Sequence, residues 1–596
     1  MKRKFVQIAA LCLSVMLLTA SGGGQSAFAV SSASDTSGTM IRVGLHYGNG
    51  AMEGLNLANE TGSGFRFGYY DGSDQFVQLG STQSTAISVV KTMNVYYGTY
   101  DGYTSYHSAL TSNSVAVGEY HLQLPGTYAT YAEAQAAASV YEGGFPAYID
   151  GAFFARIGNY TTRPKAVAAQ TALANRGVGT VIKGTSEYGV SVVITGTNTI
   201  LFQFDDLGKG TGLGVEPNAA GDNPEGVGAY GAQNDGGSGN GKYTTWSHFY
   251  LYYGGFRFER IDGGNMTVVN ILDLEDYVKG VVPHEMSDSW PLEALKAQAV
   301  AARSYAVSLG TKHSGSHFDI CYSTHCQAYS GLTRAGSNSD AAVDLTAGQV
   351  VLYDGKVAHT YYYSSNGGAS ESSSNVWPGN QASYPYLLGK EDPYEDAAGI
   401  NNSYTKIVSS DELVAGLREQ GYNEVGTSIV SVAIVSLTES GNPKQVTFTD
   451  NNGTQFTINS RLVVKDMLGL RSYRYGIAPG AATMPEVSVN GAPPVDVSGL
   501  YAIDGNGNVI SVAWDSYVLT GSGTAQLELD IPASTGGGVG NIGSTGTNDG
   551  WFTFVGKGWG HNVGMSQYGA KAMAELGYNY LDILQFYYTG ITVGSM

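Results

Sequence analysis

Glu285 is the residue in this chain best placed to hold and deliver a proton. It ends the stretch Asp273-Leu-Glu-Asp-Tyr-Val-Lys-Gly-Val-Val-Pro-His-Glu285 and follows an apolar Val-Val-Pro segment that reads as a turn. Ser289-Trp290-Pro291 then signals a helix start, and Leu292, Leu295, Ala299, Ala302 and Ala306 recur at helical spacing behind it. A carboxyl group at such a junction, among bulky apolar neighbours, is expected to have a raised pKa and to act as a general acid. The alternative is that Glu285 charges the N-terminus of the helix that follows. The nearby carboxylates Asp273, Glu275 and Asp276 read as structural. Asp273 suits a helix N-cap ahead of Leu274, with Asp276 at the third helical position.

A second reactive group is the cluster His317, Cys321, His325 and Cys326. Two thiolates and one imidazole, with water or substrate in the fourth position, suit zinc. The expected ligands are Cys321, Cys326 and His317, the last preferred to His325. A disulfide between the two cysteines is the rival reading for an exported protein. Ser365 near His359 does not suggest a hydrolase triad, because no strand–G-x-S-x-G–helix pattern surrounds it.

The rest of the chain must position these groups outside the cell. Met1-Lys2-Arg3-Lys4, an apolar run from Phe5 to Ala20 and Ala27-Phe28-Ala29 form a signal peptide over 1–29. Its removal takes away Cys12, leaving Cys321 and Cys326. The net charge of −19 becomes more negative still without Lys2, Arg3 and Lys4. That excludes nucleic acid as a partner. Binding of any anionic polymer must therefore rely on basic residues gathered in a cleft. The 42 tyrosines suit stacking against sugars, although they are equally at home in Gly-rich extracellular β proteins.

The patterning predicts an α+β protein. Alternating strands fill 40–116, a compact βαββαβ module covers 117–197 with Val190–Ile194 as its last strand, and a Gly-rich linker spans 198–248. A mostly antiparallel β core with a few helices follows over 249–480. An insertion with a Gly/Ser/Thr/Asn-rich tract occupies 481–550, and the fold closes over 551–596.

Two resemblances give these pieces a function. Tyr120-His-Leu-Gln-Leu124, Glu133-Ala-Gln135 and Phe154-Ala-Arg-Ile-Gly-Asn-Tyr160 resemble the sporulation-related repeat (SPOR domain), which implies binding to glycan strands stripped of stem peptides. Four blocks resemble the stage II sporulation protein D family, which includes amidase enhancers. They are Leu274 to Met286, Leu295-Lys-Ala-Gln-Ala-Val-Ala-Ala-Arg-Ser-Tyr305, Tyr363-Ser-Ser-Asn-Gly-Gly368 with Pro385-Tyr-Leu387, and Gly558-Trp-Gly-His-Asn-Val-Gly-Met-Ser-Gln-Tyr-Gly569.

That second resemblance implies a lytic transglycosylase that cleaves the MurNAc–GlcNAc bond of denuded peptidoglycan and leaves 1,6-anhydro ends, with Glu285 as its acid. It implies that Lys296 and Arg303 read the substrate's free carboxylates and that Ser365, Asn366, Gly367, Tyr386, His561 and Gln567 line the cleft. Some relatives bind zinc through a comparable Cys-containing loop. The family often has Gly where Asn562 stands, which sets His561 apart from its pattern. The competing implication is a non-catalytic protein that stimulates a wall amidase or binds glycan. Either way the expected location is secreted, at the cell wall.

Overall fold

The computed structural model describes residues 39–218, 251–478 and 550–596 almost continuously, with a few short strands at 230–231 and between 486 and 545. The expected signal peptide over 1–29, most of the Gly-rich tract before 251 and most of 481–549 lie outside the described residues.

One strand sets the frame for the acid. Thr267–Asp273 is buried along all but its last residue and pairs on both sides, antiparallel to Met40–His46 and to Gly255–Glu259. A run of Val, Ile and Leu is what a strand covered on both faces requires. It is an inner strand of a seven-stranded sheet and runs straight into helix α3 (Leu274–Glu285).

The second sheet has ten strands, and the βαββαβ run is part of it. Its order along the chain is Tyr120–Gln123, α1 (Tyr131–Ser139), Gly144–Ile149, Ala152–Tyr160, α2 (Arg163–Ala174) and Val181–Lys183. Thr130 and Glu133 close a capping box on α1, and Thr162 caps α2. The last strand is not Val190–Ile194 as expected. That segment pairs with Ala86–Lys91 and Ile200–Asp205 in the sheet interior. Its Val-rich run belongs where both faces are covered, whereas Val181–Lys183 is a short, partly exposed edge strand. The expected linker 198–248 is also corrected, since it contributes Ile200–Asp205 and Leu213–Pro217 to the two sheets.

The predicted 249–480 core divides in two. Residues 404–477 form a separate apolar cluster around Leu413, Leu417, Val432, Phe448 and Leu468, which Phe552 and Phe554 complete. Strand Trp551–Lys557 pairs with Ser403–Ser409 and Arg474–Ile477 before the chain returns to the main core.

Helix α4 (Leu292–Leu309) is apolar nearly all round, as a helix inside a core must be. Its alanines allow close approach on every side. Arg303, fully buried on α4, donates from Nε to Glu275 Oε1 (2.8 Å) and from Nη2 to Oε2 (2.5 Å), and from Nη1 to the Gln349 carbonyl (3.0 Å). Gly348 N–H donates to the same carboxylate at 3.0 Å. This pair ties α4 to α3, and losing one partner of such a buried pair costs about 3–5 kcal/mol.

Candidate active site

Asp273 caps α3 by accepting from Glu275 N–H at 2.8 Å, as its sequence position suggests. The helix does not stop at the Val-Val-Pro segment. It continues through Pro283 and ends at Glu285, with Met286 in an extended conformation as its C-cap. The expected turn is therefore a last helical turn, and Glu285 sits at the C-terminal end of α3 rather than at the start of α4. The partial negative charge at that end works against a carboxylate.

Three distant segments close around the Glu285 carboxyl. Gln567 Nε2 donates to Oε2 at 3.0 Å, Ala328 N–H donates to Oε1 at 3.3 Å, and the Tyr362 hydroxyl donates as well. Tyr362 is itself held by Gln327 Nε2 at 2.9 Å. Burial pushes the Glu285 carboxyl up, the three hydrogen bonds pull it partly back, and the net shift is upward.

Glu285 opens onto a cleft of about 720 Å³. One wall is aromatic: Tyr361 packs on Trp377 with ring centroids 4.5 Å apart, Trp377 on His561 at 5.0 Å, and Tyr363 on His561 at 5.3 Å. Burial lowers His561 to about 4, and its Nδ1 accepts from Val563 N–H at 3.1 Å. His359, also in the wall, is lowered to about 4 by burial. Both imidazoles are therefore neutral near pH 7. Among the described residues lining the cleft, Glu285 is the only carboxyl group.

Beside the cleft, one ligand atom each from His313, Cys321, His325 and Cys326 lies within 4.8 Å of the others. Both thiols are free and buried. Cys321 Sγ is 3.6 Å from His325 Nδ1, and Cys326 Sγ is 3.3 Å from His313 Nε2 and 3.9 Å from His325 Nδ1. A zinc tetrahedron with bonds of about 2.0–2.3 Å has edges of roughly 3.3–3.8 Å; the Cys321–His325 and Cys326–His313 separations fall in that range, and the set as a whole is wider. His317 does not belong to it, which corrects the sequence reading. Its backbone takes a left-handed conformation (φ 65°), and its Nδ1 faces Glu259 Oε1 at 2.8 Å.

The family model described as Stage II sporulation protein (SpoIID) matches residues 262–353. An uncharacterized protein of Brachyspira hyodysenteriae is 31% identical over 343 residues, covering 57% of this chain and 72% of that protein. The chain carries a SpoIID family domain. The amidase enhancer of Bacillus subtilis is 30% identical over 343 residues, which is 53% of this chain and 40% of that protein. Stage II sporulation protein D of Bacillus amyloliquefaciens is 26% identical over 348 residues, covering 56% and 76%.

Of the substrate-binding positions expected from the SpoIID resemblance, only His561 and Gln567 line the cleft. Arg303 is consumed by Glu275, as described above. Lys296 pairs with Glu293 (2.8 Å) and lies over the Tyr580 ring, 4.5 Å from its centroid. Ser365, Asn366 and Gly367 wrap a buried carboxylate instead: Ser365 Oγ donates to Glu395 Oε2 (2.6 Å), and the N–H groups of Asn366 and Gly367 donate to Oε1 and Oε2 (3.0 and 3.1 Å). Tyr386 Oη accepts from His359 N–H at 2.7 Å and is buried. These residues build the wall without facing the cleft. Asn562 takes φ 61°, a conformation Asn tolerates better than most residues, and its Nδ2 donates to the Asn366 carbonyl at 3.1 Å. It thus fills a glycine-like position and keeps His561 in place. Tyr362, Gln327 and Ala328 carry no signal in the sequence. They meet Glu285 only through folding, and no local spacing marks them.

A raised pKa at Glu285 makes a prediction about stability. The folded protein binds this proton more tightly than the unfolded chain does. The resulting penalty is absent below the unfolded value of about 4.3 and grows as pH rises through the window between the two values. It is complete above the folded pKa, where it amounts to about 1.4 kcal/mol for every tenfold difference between the two proton affinities. Glu285→Gln is therefore expected to melt higher than wild type at pH 7–8 and to converge with it near pH 4. Thermal melts across that range would contradict the assignment if the difference did not change with pH.

Proposed function

We propose that this protein is an exported lytic transglycosylase that cuts denuded peptidoglycan strands between N-acetylmuramic acid and N-acetylglucosamine. The observation that carries the proposal is Glu285: half-buried, raised in pKa, opening onto an aromatic-walled cleft, and the one carboxyl among the described lining residues. In the first half of the reaction, Glu285 donates its proton to the O4 leaving oxygen as the C1–O4 bond breaks. In the second, its carboxylate takes the proton of the muramic C6 hydroxyl, whose oxygen bonds to C1 and forms the 1,6-anhydro ring. No water is consumed and Glu285 ends protonated again, so one carboxyl group is enough. A hydrolase would ordinarily need a second carboxylate at a set separation. Gln567 and Tyr362 orient the carboxyl and steady its ionised form midway through the cycle.

Denuded strands incubated with wild type are expected to yield anhydro-ended fragments by mass spectrometry, and Glu285→Gln is expected to lose roughly 10²–10⁴-fold of that rate. A second reading is favoured by the Bacillus subtilis relative named amidase enhancer: glycan binding and stimulation of a wall amidase without cleavage. Absence of fragments from both proteins, with glycan binding retained, would select that reading. The βαββαβ order of the module supports its likeness to a SPOR domain, and we assign it glycan binding. We read the basic start and apolar run of 1–29 as a secretion leader, which would deliver the protein to the wall.

We further propose that His313, Cys321, His325 and Cys326 hold zinc. With four protein ligands such an ion has no open position, so its contribution is to brace the 313–326 loop under the cleft. Metal analysis is expected to find one zinc per wild-type chain and none in Cys321→Ser/Cys326→Ser. A metal-free wild type, or a disulfide between these cysteines, would overturn the assignment.

A further inference from the structure

The SpoIID-like positions expected to read substrate charge, Lys296 and Arg303, are both occupied elsewhere, which leaves the question of what does recognise charge in this cleft. Among the described lining residues, the only Asp, Glu, Lys or Arg side chains are Glu285 and Lys312. Lys312 is the one Lys or Arg among those lining residues, in a chain whose net charge is −19. Lys312 is exposed, and its Nζ donates to the His325 carbonyl at 2.5 Å, which anchors it beside the cysteine loop.

A second cation stands at the rim. Arg471 comes from the second core, and its carbonyl accepts from Gly560 N–H at 2.9 Å. Its guanidinium lies 5.1 Å from the ring centroid of Trp559. Trp559 lines the cleft yet is 57% exposed. Backbone hydrogen bonds to Ser365 in both directions (3.1 and 2.8 Å) fix its main chain. Among the described residues, neither Lys312 nor Arg471 makes an ion pair with a carboxylate. A flat, exposed indole with a guanidinium against it offers a sugar platform next to a carboxylate fork.

We infer that Lys312 and Arg471, with Trp559 as a sugar platform beside the guanidinium, select carboxylate-bearing sugars for this site. The matching ligand groups are the free lactyl carboxylates of muramic residues, whose charge is lost wherever a stem peptide is joined by an amide bond. The naming of that group rests on the glycan-cleaving reading; the charge selectivity itself does not.

Binding is tested in a Glu285→Gln background, so that no strand is cut. The probes are a denuded glycan oligosaccharide and a neutral chitin oligosaccharide of equal length. Lys312→Ala and Arg471→Ala are each expected to weaken binding of the anionic probe by about tenfold, with chitin binding held within about twofold, and added salt should erase the anionic preference. Trp559→Ala should weaken both probes. Unchanged affinity for the anionic probe in both cation variants, or equal loss for the two probes, would overturn the inference. If wild type leaves strands uncut while the charge selectivity appears as expected, the transglycosylase reading falls and this inference stands.

Discussion

A carboxyl group's pKa rises where its ionised form is poorly solvated, and at Glu285 that condition is met by segments far apart in the chain. The acid comes from the C-terminal end of α3. Its hydrogen-bonding partners come from the loop after Cys326, from the tyrosine run at 361–363, and from the helix that starts at Gln567. Each partner donates to the carboxyl, so each also makes the ionised form tolerable for the moment it is needed. Burial sets the resting state and the donors limit the cost of leaving it. The remainder of the fold can be understood as holding those four segments in register: the inner strand Thr267–Asp273 feeds α3, and the Arg303–Glu275 pair locks α4 against it.

The same arrangement explains why so many polar residues of the family blocks point away from the cleft. A wall built from aromatic rings has to be immobilised from behind, and buried carboxylates do so here. Glu395 collects donors from Ser365, Asn366, Gly367 and Ser566, and so fixes the loop that carries the backbone partner of Trp559. Glu371 accepts from Thr438 and Asn442 and pairs with Arg461, joining the second core to the first. These groups are costly to bury and would be costlier still to leave unpaired.

Much of this is legible in the sequence, and what is not has physical causes. Asp273 as a cap, the apolar stripe of α4 and the helices of the βαββαβ run all follow from local periodicity and capping chemistry. Pro283 reads as a turn because a proline normally ends a helix; α3 instead carries it at the cost of one backbone hydrogen bond, to the Lys279 carbonyl, and stops two residues later. His317 looks like a ligand by spacing, but its left-handed turn directs it to Glu259, while His313, just outside the apparent cluster, folds back onto Cys326. Arg303 looks available because its partner Glu275 is 28 residues away on another helix. The boundary of the second core is hidden because strand Trp551–Lys557 completes it from far downstream.

The central claim is that one half-buried acid suffices because the substrate supplies its own nucleophile. Cleavage of denuded strands in ¹⁸O-labelled water tests this most directly, with mass spectrometry of the new muramic ends. The account predicts ends that carry no label and are lighter by one water than a reducing sugar. Reducing ends carrying ¹⁸O at C1 would contradict it, because water would then be the nucleophile and a second base would have to exist.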